Sequence, residues 1–325
     1  MRSNSRISHF PIGFILIIIF AVLMTSCENQ TEPTSVLPHT IADAKLITPQ
    51  QDGVCEKDVQ INQAGTTIYY NRLYSSPCYQ YIFDPYHERN ALPFGGEVLK
   101  LAPNEQYIVY LSNNGPDAMF LERMDLLSEN HFQITNTLAA FGYCISPDSS
   151  HIAYFAYYGY PPNTVTGIFL IPPDGDTDKV LITECGSGAP ICWLSNHELI
   201  VRINHGVGCD IIEYDTDNPG QEGELFYTVA DATNYPLGYS ETINVNEGWY
   251  IDSFYEYPDI QWGKNLYKCP IGVPGDYGEQ LTEGGNNDYP GNLAANGHTF
   301  VFSREYRDDY EFLTGHRDVY LMNLE

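Results

Sequence analysis

The sequence predicts an all-β fold made of one four-stranded unit repeated along the chain, and three observations predict it. First, one phrase recurs. Leu101-Ala102-Pro103-Asn104-Glu105-Gln106-Tyr107-Ile108-Val109-Tyr110 returns as Ile145-Ser146-Pro147-Asp148-Ser149-Ser150-His151-Ile152-Ala153-Tyr154 and again as Leu293 to Phe302. Each copy reads as a strand end, a small polar turn and an alternating apolar strand. Second, the turn position held by Pro147 falls on Gln63, Pro103, Pro147, Ser195, Val245 and Ala295, at spacings of 40, 44, 48, 50 and 50 residues. That is the period of a four-stranded propeller blade. Third, 325 residues carry 26 Tyr, 15 Phe, 27 Gly and 21 Pro, and no stretch holds apolar spacing at the helical period. Such a composition favours short strands and turns.

The elements follow in chain order. Arg2 and Arg6 precede a nearly unbroken apolar run from Ile12 to Met24. It is shorter than the about 20 residues of a membrane span and has the layout of a signal segment. The run ends Leu23-Met24-Thr25-Ser26-Cys27, which resembles the lipobox of bacterial lipoproteins with Met24 where Leu is commoner. The resemblance implies cleavage after residue 26 and lipidation of Cys27; an ordinary secretory signal with an incidental cysteine is the alternative. Residues 28–40 are polar and contain proline, as a flexible tether does. The expected organisation is therefore a lipoprotein signal peptide at 1–26, a tether at 27–40 and a single domain at 41–325. Several acyl chains on one cysteine hold more firmly than a single reversible chain. The expected location is the bacterial cell envelope, with membrane contact through the lipid on Cys27. Glu28 is not the Asp associated with inner-membrane retention, so the outer membrane is favoured, its side left open.

Within residues 41–325 the second phrase of each unit sits downstream of the first. Gly167 to Ile171 reads as a third strand, Pro173-Asp174-Gly175-Asp176 as a turn and Val180 to Thr183 as an outer strand. Phe132 to Thr135 and Glu279 to Thr282 match that outer strand in other units. The fourth and fifth copies of the first phrase are degraded and rest mainly on the spacing. The last unit stops at Val319 to Leu324 without an outer strand, whereas residues 43–48 mimic 178–183. The expectation is a six-bladed β-propeller of four-stranded blades, its ring closed by the strand at 43–48. Such a clasp hides two otherwise unpaired sheet edges.

Ser146-Pro147-Asp148 before an alternating strand, together with Asp318-Val319-Tyr320-Leu321-Met322-Asn323, resembles the WD-like repeats of the TolB propeller family. The resemblance covers about residues 41–325. It implies a propeller that serves as a protein-interaction platform. Related propellers cap peptidases of the prolyl-oligopeptidase type, but this sequence carries no hydrolase portion, so peptidase activity does not carry over. The α/β domain that precedes the propeller in TolB is also absent from the pattern.

Charge narrows the partners. Lys and Arg total 15 against 42 Asp and Glu, a formal net charge of −27, and loss of residues 1–26 removes Arg2 and Arg6 but no acid. A surface this acidic repels phosphate backbones, so nucleic acid is not an expected partner. Seven cysteines follow Cys27, irregularly spaced, with no CxxC or Cys/His zinc pattern. Proximity nominates Cys55–Cys78 and Cys185–Cys192 as disulfides.

Enzyme motifs are sparse. Gly186-Ser187-Gly188 is not a nucleophile elbow. His87-Glu88 and His197-Glu198 lack the second histidine of a zinc-protease pair. Asp174, Asp176 and Asp178 alternate as in a calcium loop, but Lys179 and Cys185 occupy the Gly and Glu positions. His151, His205, His298 and His316 fall in different units. No catalytic residue, metal site or cofactor is assigned. The loops between second and third strands are aromatic in several units: Tyr157, Tyr158 and Tyr160, then Tyr255, Tyr257 and Trp262, then Tyr306 and Tyr310. All emerge on one face of the predicted ring, and clustered aromatics mark a recognition surface. The alternative is that these rings pack long loops onto the blades. The function expected is a non-catalytic platform that binds an envelope protein. A glycan-binding surface lipoprotein, and a hydrolase or lyase with its site at the propeller axis, are the alternatives.

Overall fold

Each copy of the repeated phrase folds as a tight hairpin turn. Ser146 N donates to His151 O at 2.9 Å and Ser149 N to Ser146 O at 2.8 Å. Asp148 Oδ1 accepts from Ser146 Oγ at 2.6 Å and Ser150 N at 3.0 Å. Ser146 Oγ in turn accepts from His151 N at 3.0 Å, so Asp148 is a turn former. The turns at Ala102–Tyr107 and Ala294–Thr299 repeat the backbone bonds. Their left-handed position is taken by Gly297 (φ 73°), but also by Glu105 (φ 57°) and Ser149 (φ 63°).

The computed structural model describes residues 44–47, 55–73, 78–84, 87–93, 96–113, 119–135, 139–158, 164–175, 179–230, 236–255, 263–283, 286–307 and 313–324. The chain divides into Met1–Thr40 and Ile41–Glu325. The signal segment, Cys27 and the tether lie outside the described residues.

The described strands run in order. A short β1 (Ala44–Leu46) precedes β2 (Cys55–Ile61), β3 (Ile68–Leu73), β4 (Cys78–Asp84) and β5 (His87–Pro93). The second unit is β6 (Gly96–Leu101), β7 (Tyr107–Asn113), β8 (Met119–Asp125) and β9 (His131–Gln133). The third is β10 (Ala139–Ile145), β11 (Ile152–Tyr158), β12 (Val165–Ile171) and β13 (Val180–Glu184). The fourth is β14 (Gly188–Trp193), β15 (Glu198–His205), β16 (Gly208–Asp215) and β17 (Glu224–Val229). The fifth is β18 (Thr242–Asn244), β19 (Trp249–Tyr255), β20 (Lys264–Pro270) and β21 (Glu279–Gln280). The chain ends with β22 (Asn287–Leu293), β23 (Thr299–Arg307) and β24 (Leu313–Asn323).

The all-β propeller architecture with four-stranded blades is the one observed, but the count differs. Among the described residues there are five sheets: four of four strands in sequence order, and one of eight. The eight-stranded sheet runs β22-β23-β24-β2-β3-β4-β5, where six separate blades were expected. The physical reason is a parallel bridge, Cys55 with Arg317, that fuses β22–β24, with β1 paired to β24, to β2–β5. Strand β1 pairs antiparallel with β24, Ala44 opposite Met322 and Leu46 opposite Tyr320.

The core lies between sheets. Tyr107, Val109 and Leu121 pack against Tyr143, Tyr154 and Phe169 of the next unit, and Ala153, Phe155 and Ile168 pack against Trp193, Leu199 and Tyr214 of the one after. Val59, Ile68 and Tyr70 share a cluster with Val301 and Val319 from the end of the chain. A middle strand is therefore covered on both faces. This is why Ile152 to Ala156 is buried at every position, a continuous apolar run where an alternating strand was expected.

The innermost strands are bent. The pairing register shifts between Lys57 and Gln60, Glu97 and Lys100, Ala139 and Tyr143, Pro190 and Cys192, and Pro290 and Leu293. A bulge re-aims a side chain. Here the bulges recur in the first four units and in the last, and residues at or beside them, among them Gln60, Lys100, Gly142, Ile191 and Gly291, line the cavities described next.

Candidate axial binding site

Two adjoining cavities are lined by residues of these innermost strands. One, of about 520 Å³, opens among the hairpin turns, with Gln63, Pro103, Pro147, Leu194, Val245 and Asn296 on its walls. The other, of about 370 Å³, is lined by Gly142, Ala189, Pro190, Arg202, Tyr239 and Asp252 among others. Gln60, Ile191, Glu241 and Gly291 line both.

Lys100 and Glu241 join distant parts of the chain at this point. Lys100 Nζ lies 2.5 Å from Glu241 Oε1 and also donates to the carbonyl of Tyr143. It stands 4.6 Å above the ring of Tyr143, whose own hydroxyl donates to Val109 O at 2.8 Å. The ammonium is thus fully engaged, and its side chain is mostly covered.

Arg202 and Asp252 face the second cavity from strands β15 and β19. Ala189 is the cross-strand partner of Arg202, and Ala189, Gly142 and Gly291 have too little side chain to fill the space. The buried Nε of Arg202 has no hydrogen-bond partner. Asp252 accepts a bond from Ser253 N at 2.7 Å. Burial pushes its carboxyl up to about 6; the Ser253 amide and Lys264 oppose the rise, Glu241 adds to it and Arg202 opposes it.

The aromatic residues expected to form a recognition face behave differently from one another. Tyr157 is 44% exposed and sits edge-on to Phe155 at 5.3 Å. Tyr158 is half-buried, bonded through its hydroxyl to Tyr154, 4.6 Å from the Phe169 ring and capped by Lys179 at 4.2 Å. Tyr255 is half-buried beneath Lys264, and the Tyr306 hydroxyl meets that of Tyr320. Tyr160, Tyr257, Trp262 and Tyr310 lie outside the described residues.

One cysteine pairing is overturned. Cys185 and Cys192 are free thiols. Cys192 packs with Ile200, Cys209 and Ile211, whereas Cys185 packs against the cluster holding Trp193. Cys192 and Trp193 are neighbours on β14 and face opposite ways, so Cys185, packed on the Trp193 side, lies across that strand from the Cys192 sulfur. The side chains of Cys55 and Cys78 lie outside the described residues.

Histidines remain dispersed. His197 meets Asp217 at 3.0 Å, His205 meets Asp210 at 3.1 Å and His298 meets Glu247 at 3.3 Å, each at the surface. Among the described residues no three His, Cys, Asp or Glu side chains gather as a metal site would require. The axial residues Lys100, Arg202, Glu241 and Asp252 were missed by the sequence reading. Their one signal was Lys100, a charge in the strand leading into the Pro103 turn.

No protein-family model matches the sequence, and no curated protein matches it. Solved structures do. An oligogalacturonate lyase from Vibrio parahaemolyticus is 10% identical with a TM-score of 0.52, over 87% of this chain and 93% of that one. An acylaminoacyl peptidase from Pyrococcus horikoshii is 10% identical with a TM-score of 0.54, over 78% of this chain and 49% of that one. This chain thus spans about half of the peptidase. TolB from Acinetobacter baumannii is also among them, 13% identical with a TM-score of 0.48, over 88% of this chain and 65% of that one. At such identities the likeness is one of fold.

Proposed function

We propose that this chain is a lipid-anchored protein of the bacterial envelope whose propeller is a non-catalytic platform for a protein partner. The anchor is Cys27 and the outer membrane is its location. The eight-stranded sheet counts in this reading as two blades joined by one bridge, with β1 completing the last blade and closing a ring of six. The pairing of Ala44–Leu46 with Tyr320–Met322 supports that count. So does the core shared by Val59, Ile68 and Val301.

The observation that carries the reading is the mouth among the turns. Turn residues from several units converge on one concave opening of about 520 Å³. Pro147, Val245, Glu247 and Asn296 on its rim are exposed. A concave site with apolar groups among polar ones suits a protruding segment of another protein. Glu247 lines the mouth and Asp148 lies beside Pro147, while Lys100 is held by Glu241. The partner segment is therefore neutral or basic. Tyr157, exposed at the end of β11 and not among the residues lining this mouth, makes a second contact in this reading.

The test is affinity capture from solubilised envelope by the full chain, run in parallel with V245R/E247K and with Y157A. Partner recovery by the wild type and its loss in V245R/E247K is the expected result. Equal recovery by V245R/E247K, with the variant shown to be folded, overturns the placement at the mouth. Cys27→Ser should move the protein from the membrane fraction to the soluble one; retention in the membrane removes the anchor from the reading.

A further inference from the structure

The second cavity holds an unusual electrostatic arrangement. Its lining carries two acids, Glu241 and Asp252, and one cation, Arg202; Glu241 is paired with Lys100 at 2.5 Å. Arg202 and Asp252 are not paired with each other: no ion pair joins them within salt-bridge distance, and no hydrogen bond is made by the Arg202 guanidinium among the described residues. A buried guanidinium N–H without an acceptor costs free energy that a ligand oxygen recovers. A carboxylate that accepts a single backbone N–H retains room for two or three further donors.

The walls say how large that ligand is. Gly142, Ala189 and Gly291 keep about 370 Å³ open, within the range of small-molecule sites. Ile191, Leu237 and Tyr239 supply an apolar side to the same space. With Lys100 and Glu241 paired, the charged side chains left on the lining are Arg202 and Asp252; Lys264, which also acts on Asp252, sits over the Tyr255 ring and outside that lining. A dianion would face Asp252 and Glu241 together, and a simple cation would leave Arg202 unpaired. Only a ligand carrying both signs answers both groups.

We propose that this cavity binds a small zwitterion, a free α-amino acid with an uncharged side chain, its carboxylate on Arg202 and its ammonium on Asp252. The side chain lies against Leu237 and Tyr239. Arg suits the carboxylate because its planar fork presents parallel donors. The site is separate from the turn-face rim, so it stands or falls independently of a protein partner.

The experiment is isothermal titration of the full chain in detergent at neutral pH with leucine, 4-methylpentanoate and 3-methylbutylamine. Leucine should bind saturably, and each analogue, lacking one charge, at least about tenfold more weakly, a difference of about 1.4 kcal/mol. R202M should abolish leucine binding, while D252N should cost leucine at least tenfold and narrow its advantage over 4-methylpentanoate. Circular dichroism and a thermal melt establish that each variant is folded, and R202K provides a gentler change at the same position. The proposal is overturned if no standard amino acid binds the folded wild type at millimolar concentration. It is equally overturned if R202M and R202K, both folded, bind leucine as the wild type does, or if 4-methylpentanoate binds as well as leucine.

Discussion

Arg304 lays its guanidinium along the carboxylate of Asp288, Nε to Oδ1 at 2.6 Å and Nη2 to Oδ2 at 2.7 Å, with both side chains buried. The two residues are cross-strand partners on β23 and β22, so the sheet register itself sets the bidentate geometry. Beside them Arg317 pairs with Glu305 at 2.9 Å, and Glu305 accepts from the Tyr289 hydroxyl at 3.0 Å. Removing one member of a buried pair leaves an uncompensated charge and costs about 3–5 kcal/mol, whereas replacing both with apolar residues is often neutral. Arg304→Met should therefore lower stability in urea by about that amount, and D288L/R304M should recover most of it. A double variant as weak as the single one would show that the network acts through more than this pair.

Asp252 gives a pH dependence of opposite sign to an ordinary surface aspartate. Its carboxyl is raised from 3.8 to about 6 in the folded protein. The folded state thus binds the proton more tightly than the unfolded chain, and this group's contribution to stability falls as pH rises between about 4 and 6. The destabilisation is fully present above that window and absent below it. At 1.36 kcal/mol per unit, it amounts to about 1–3 kcal/mol for a half-buried group. D252N should raise the melting temperature at pH 7 and leave it unchanged near pH 4, read from paired melts at the two pH values. A variant that is destabilised at pH 7 contradicts the assignment.

How much of this was written in the sequence depends on the range of the interaction. The turn at Ser146–His151 was legible because its bonds close within a few residues: Asp148, Ser146 and Ser150 satisfy one another locally. The outer strand Val180–Glu184 was legible because Phe132 to Thr135 and Glu279 to Thr282 repeat it in other units. Lys100 with Glu241 was not, since 141 residues separate them and neither belongs to a local motif. The bulges were hidden for a related reason. A register shift appears only when two strands are paired, and Pro190 or Gly142 reads in isolation as a turn former. The cysteine pairing failed because nearness in sequence says nothing about which face of a sheet each sulfur occupies. Adjacent positions on Trp193's strand already point apart.

Gly291 marks a close approach between strands. A Cβ built there would stand 2.3 Å from Val59 O and 2.8 Å from Val301 O, both backbone atoms that cannot swing aside. Overpacking of this kind costs about 1–3 kcal/mol. G291A should lower the melting temperature, while G186A, with no atom within 4 Å of its Cβ, should not. Similar melts for the two variants would mean that the bulge at Pro290–Leu293 relaxes at little cost.

The thiols give a separate check on packing. Cys144, Cys192, Cys209 and Cys269 are buried, and Cys185 is half-buried. Burial raises the Cys144 and Cys269 thiols to about 12 and raises that of Cys185 as well. Thiolate is the reactive form, so all should alkylate slowly at pH 7. Mass spectrometry after brief maleimide treatment should find Cys185 modified first among these five thiols, and a non-reducing digest should show no Cys185–Cys192 peptide. Recovery of that cross-linked peptide would contradict the placement of the two residues on opposite sides of β14.

Strand β1 offers the last prediction, because it touches two cores at once. Ala44 and Leu46 pack on the cluster of Trp249, Phe302 and Tyr320, while Ile47 packs on the cluster of Val59, Tyr70 and Val319. Ile47 N also donates to Val319 O at 2.9 Å, continuing the ladder past Leu46. A strand in this position restrains the end of the chain against its beginning. Truncating a half-buried Leu or Ile to Ala costs about 1–2 kcal/mol through lost burial, and L46A/I47A should cost about the sum. If β1 is the clasp of the ring, the loss should also be cooperative. Limited proteolysis of L46A/I47A should then cut within β22–β24 as well as near residue 47. Cleavage confined to the neighbourhood of residue 47, with the melt unchanged, would reduce β1 to an edge strand that the rest of the sheet does not need.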